Sequence, residues 1–113
     1  MKIYRGYGGP GHHPHPRTRV TVQADDGPER ELYHYVSDSP SGFSWGFCGA
    51  GPTDLARSIL AEHFGVDLDK GDLPVDDLEF RDAVVSKWPW REAQTRQLSW
   101  SLTSDEIDSW AAR

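Results

Sequence analysis

A chain of 113 residues with a single cysteine, Cys48, has the size of one domain and cannot be an internally disulfide-bonded scaffold. Thirteen aromatic residues, five of them Trp, supply apolar surface for one modest core, which argues against a disordered chain, and no apolar run approaches a membrane span. The formal net charge of −6 is uneven: residues 1–22 carry Lys2, Arg5, Arg17 and Arg19 without an acid, leaving 8 basic residues against 18 acids in the remainder, a balance that repels phosphate backbones and favours basic partners.

The opening "MKIYRGYGGPG" has no apolar segment of the signal-peptide kind, so a cytoplasmic protein is expected. Within it "KIYRGY" reads as a strand, and residues 8–17, "GGPGHHPHPR", read as a flexible Gly/Pro/His loop. Val20 and Val22 alternate with polar residues, and Leu32, Tyr33, Tyr35 and Val36 fill a returning strand. Asp26-Gly27 between them suits the left-handed backbone of a tight hairpin turn.

After the loop "SDSPSG", Pro52 fits the first turn of a helix because its missing N–H would be unpaired there, and Asp54 complements the positive end of the helix dipole. Leu55, Ala56, Ile59, Leu60 and Phe64 make one apolar face, and Gly65 followed by Val66 fits a left-handed C-cap. Residues 66–74 form an acidic loop ending at Pro74. "VDDLEFRDAVVSKW" predicts a second helix with Phe80, Val84 and Trp88 four apart, stopped by Pro89. "LSWSLT" alternates as a short strand or an extended strap, and Thr103 with Glu106 has capping-box spacing ahead of a helix anchored by Ile107 and Trp110. Strands first and helices later describe an α+β fold in one domain, residues 1–113: a small antiparallel sheet, made of the N-terminal strand plus the hairpin, packed against about three helices.

The most patterned stretch is "FSWGFCGAGPTDLARSILAEHF", a Gly-rich turn opening a helix. A phosphate loop needs G-x-x-x-x-G-K-[ST]; here Pro52-Thr53 follows Gly51 and the loop holds no Lys. The dinucleotide fingerprint fails too, because the spacing is G-x-x-G-x-G. The glycines therefore read as a sharp turn beneath the helix, with Gly46, Gly49, Gly51 and Thr53 the residues of an alternative small-ligand site. Cys48 reads as a small packed residue, since no spacing pairs it with a base among His12, His13, His15, His34 and His63. "HHPHPR" lacks a second ligand cluster, and "DLDKGDLPVDDLE" puts Asp72 where a calcium loop needs Gly and Leu78 where it needs an acid, so no metal and no cofactor are expected.

The stretch "GFSWGFCGAGPTDLARSILAEHFG" resembles the central motif of the family called domain of unknown function 6166, which reads along the lines of G-F-x-W-G-Y-G-G-S-G-P-x-x-L-A before a helix ending in an acid and His. Phe80, Val84, Val85 and Pro89 are similar to its downstream pattern, as is "WSLTSDEI", so the resemblance spans most of Phe43 to Ile107. Cys48 departs from it, standing where the family has Gly. The resemblance implies a phage, actinobacterial or mobile-element context and supplies no catalytic residues.

The leading expectation is a non-enzymatic accessory protein that binds another protein, as an acidic inhibitor of a defence or nucleic-acid-handling complex would. Its contact face would hold Glu62, Asp67, Asp69, Asp72, Asp76, Asp77, Glu79 and Asp82, with Trp90 beside them. One alternative is a small enzyme or ligand binder using the Gly-rich turn with Cys48 or His63. Another is a nucleic-acid binder using the basic N-terminal segment with Tyr4, Tyr7 and the His loop.

Overall fold

Alternating side chains in "KIYRGYGG" and "RTRVTVQA" build the two central strands, β1 (Lys2–Gly9) and β2 (Arg17–Ala24), of a four-stranded sheet. The computed structural model describes residues 1–9, 17–34, 43–88 and 98–113. Short β3 (Glu29–Glu31) and β4 (Leu98–Thr103) complete the sheet in the order β3-β2-β1-β4, and every pairing is antiparallel. The helices are α1 (Ala50–Phe64), α2 (Asp77–Ala83), continued by a 3-10 turn at Val85–Lys87, and α3 (Ser104–Ala111). This is the α+β architecture expected from strands preceding helices. Among the described residues no helix is long and apolar enough to cross a membrane.

Register divides the sheet into two faces. Tyr4 opposes Val22 and Leu102, and Gly6 opposes Val20 and Trp100, so these side chains share the face that packs on α1 through Leu55, Ala56, Ile59 and Leu60. The other face holds Arg5, Tyr7, Arg19, Thr21, Gln23, Glu29 and Glu31. Trp100 lies over Gly6 so closely that a Cβ there would fall 2.1 Å from its Nε1. Trp88 stacks on Trp100 with centroids 3.8 Å apart, and Trp45, fully buried, meets it edge-on at 5.7 Å.

Several local signals act as read. Gly65 caps α1 at φ 65°, and the N–H groups of Gly65 and Val66 both reach Ala61 O. Thr103 and Glu106 form a reciprocal capping box on α3. Other elements differ. The hairpin turn puts Asp25 at positive φ, 50°, and not Gly27, because an Asp tolerates the left-handed region. The returning strand ends at Glu31, with Leu32 buried and Tyr33 exposed. Strands extend to Gly9 and from Arg17, so the ends of the 8–17 loop belong to the sheet. α1 starts at Ala50, which leaves Asp54 beyond the first turn and fully buried rather than on the dipole's exposed end. α2 stops at Ala83, because Val84 leaves helical geometry and Val85 turns inward in its place; Trp88, preceding Pro89, is extended. Leu98, placed with Trp100 and Leu102 by alternation, is 47% exposed beside a bulge between Gly6 and Tyr7. His12, His13, His15, Tyr35, Val36, Pro89 and Trp90 lie outside the described residues.

Because Trp100 occupies the space a side chain on Gly6 would need, Gly6→Ala is expected to cost about 3 kcal/mol through overpacking. Urea unfolding measures it; an unchanged midpoint would contradict the packing described.

Candidate functional site

The Gly-rich turn is built to fold the chain. Gly46 adopts φ 86° and its N–H donates to Val85 O at 3.1 Å, binding the turn to the 3-10 turn that follows α2. At Gly49 a Cβ would meet the Phe47 ring at 2.8 Å, and Gly51 is buried within α1. The Thr53 hydroxyl donates to Gly49 O at 2.7 Å and accepts from Arg81 Nη1 at 2.9 Å. Arg81, which sequence spacing did not associate with this turn, reaches it from α2. Its charge is met by Asp82, whose Oδ1 accepts from Arg81 Nε at 2.8 Å and from Cys48 Sγ at 3.2 Å. The Arg81 hydrogen bond, then the thiol, hold the Asp82 carboxyl below its ordinary value. An incoming anion would meet that carboxylate as well as the guanidinium.

Cys48 and His63 are not a nucleophile and its base. They flank the two ends of the 15-residue α1, about 20 Å apart at helical rise. His63 instead lies 2.7 Å from Asp108 Oδ1, joining α1 to α3. His34 stacks on Phe43 with centroids 4.2 Å apart and sits 3.5 Å from the buried Asp54 carboxylate, joining the chain after β3 to α1. Among the described residues no group of three or more His, Cys, Asp or Glu side chains could hold a metal ion.

The basic N-terminal segment is likewise engaged. Tyr4 is fully buried. On the open sheet face Arg5 donates to Gln23 at 2.8 Å, Arg19 to Glu31 at 2.5 Å, and Tyr7 and Thr21 both donate to Glu29. Burial, then the Glu29 carboxylate, pushes the Tyr7 phenol up. Glu29 and Glu31 offset the two arginines, so this face offers little attraction to a phosphate chain.

The eight acids divide into two sets. Glu62, only 11% exposed, receives Lys2 Nζ at 2.7 Å and Arg30 Nη2 at 2.6 Å, tying α1 to β1 and β3. Asp77 pairs with Arg57 at 2.6 Å, Glu79 with Arg113 at 2.7 Å, and Asp82 with Arg81. Asp76 caps α2 by accepting from Leu78 N and Glu79 N. Asp67, Asp69 and Asp72 have no ion-pair partner among the described residues, and all three are exposed on the loop between α1 and α2. Tyr33, 66% exposed, joins Asp67, Leu68 and Asp69 around a depression of about 230 Å³. Sequence reading placed Tyr33 in a strand and missed this juxtaposition, which depends on where β3 ends.

The model of a family of unknown function, DUF6166, matches residues 6–113, nearly the whole chain. No match emerged among curated proteins or among solved structures.

For Glu62, burial favours the neutral acid, but Lys2 and Arg30 outweigh it and hold the carboxyl below its ordinary value of 4.5. A depressed folded value means stability present above pH 4.5 and lost as pH falls through the folded value. Glu62→Gln is therefore expected to cost about 2 kcal/mol at pH 7, and the gap to the unsubstituted protein should close as the pH is lowered below 4.5. Urea unfolding at a series of pH values measures both; a gap independent of pH would contradict the pairing.

Proposed function

Because the chain belongs to the family of unknown function DUF6166, we propose, on its surface chemistry, that it is a non-enzymatic accessory protein that binds another protein. Its docking surface is the acidic loop with Tyr33. One observation carries the reading: Asp67 and Asp69, which form no ion pair among the described residues, share a depression with a largely exposed aromatic side chain, while Glu62, Asp77, Glu79 and Asp82 are paired within the fold. Tyr is a residue type that carries binding energy at interface centres, and a charged rim steers the partner and sets its register. The partner presents a basic segment or groove, such as one built for nucleic acid, which Asp67, Asp69 and Asp72 occupy in place of phosphates. On this reading the protein is an accessory protein of a phage or mobile element that acts in the cytoplasm.

A tagged pull-down from host lysate, eluted in steps of rising salt, tests this. One stoichiometric protein is expected, released at moderate salt, because interactions between exposed charges are screened within about 10 Å at 0.1 M. Asp67→Lys with Asp69→Lys should abolish capture, and Tyr33→Ala should weaken it by at least about tenfold, equivalent to about 1.4 kcal/mol. Capture of the same protein undiminished by these changes would overturn the assignment.

A further inference from the structure

The two edges of the sheet are chemically unlike. β3 offers three residues, Glu29, Arg30 and Glu31, all exposed and charged, and a short charged edge resists pairing with another strand. β4 offers six residues, "LSWSLT", none charged. Its sole ladder partner among the described residues is β1, and no other described strand receives the backbone N–H and C=O groups along its outer edge. Natural sheets usually blunt such an edge with charge, proline or brevity, and β4 has none of these.

We propose that β4 pairs with β4 of a second copy of this chain, joining two four-stranded sheets into one. A two-fold axis normal to the sheet runs the strand antiparallel to itself, so it need be complementary only to itself. The absence of charge along Leu98–Thr103 means that no register sets like charges opposite each other. Opposed residues in an antiparallel pair point to the same face, so the layer of Trp100 and Leu102 becomes continuous across the junction and the helices of both copies lie on one side. Leu98, half-exposed in the single chain, gains cover from the second strand. The charged β3 edges are left at the two ends, which closes the assembly as a dimer instead of propagating it as a fibre. The inference is independent of the acidic loop.

Sedimentation equilibrium from about 10 μM to about 1 mM covers the weak affinities expected of strand pairing without a large apolar interface. The mass should rise from 12.7 kDa toward twice that value. Ser101→Lys brings two like charges close to the axis from an exposed position and should weaken dimerisation at least tenfold without changing the circular dichroism spectrum. Hydrogen exchange on the unsubstituted protein gives a reading that needs no variant: β4 amides should slow as concentration rises while β3 amides do not. A monomer at every concentration, a Ser101→Lys protein that dimerises like the original, or β4 exchange independent of concentration would each overturn the proposal. So would β4 protection that arises only when a different protein is bound, since that would assign the edge to that partner.

Discussion

Trp100 and Gly6 face each other across β4 and β1, and the indole lies where any side chain on Gly6 would have to be. Around that seat the rest of the core is arranged: Trp88 stacks on the Trp100 indole, Trp45 meets it edge-on, and Tyr4 and Leu102 flank it along the strands. Burying an indole of about 200 Å² is worth about 5 kcal/mol of apolar transfer, comparable to the whole net stability of a small domain. Trp45 also leads into the Gly46 turn, and the Gly46 N–H bond to Val85 carries the geometry on to the 3-10 turn after α2. The Gly-rich turn thus has a physical reason to exist that requires no ligand.

Charge is organised by the same economy. A chain with 18 acids must put many of them near basic groups or into water, and here it uses several as joints. Glu62 bridges Lys2 and Arg30, drawing the helix onto two strands that are not neighbours in the sheet. His63 with Asp108 and His34 with Asp54 fix the two ends of α1 to other segments. Partly buried pairs of this kind specify how elements dock, and removing one partner leaves a charge that must be resolvated. Asp67, Asp69 and Asp72 form no ion pair among the described residues and lie exposed on the loop between α1 and α2, which is why the proposed docking surface is centred there.

Features set by local backbone chemistry were legible in the sequence. The α1 face, its Gly65 cap and the Thr103–Glu106 capping box depend on residues within a turn or two of each other, as does the alternation of β2 and of Trp100 with Leu102 in β4. Features set by distant pairing were not. Nothing near Gly6 announces Trp100 as its neighbour, and nothing near Glu62 announces Lys2 and Arg30. The acids from Glu62 to Asp82 form one run in sequence, yet helix periodicity and the loop send some inward to cations and others outward. Asp26-Gly27 was a sound turn signal, but Asp25 took the left-handed position; residue preference names the turn, while the strand register on either side decides which residue occupies it.

We propose that this protein acts through the surface of Tyr33 and the acidic loop, with the Gly46–Thr53 turn serving the fold. Hydrogen exchange of the protein with and without its captured partner tests that claim most directly. Protection confined to the amides around Tyr33 and Asp67–Asp72, with Gly46–Thr53 unchanged, is the predicted result. Protection centred on Gly46–Thr53, with the acidic loop exchanging as it does in the free protein, would contradict it.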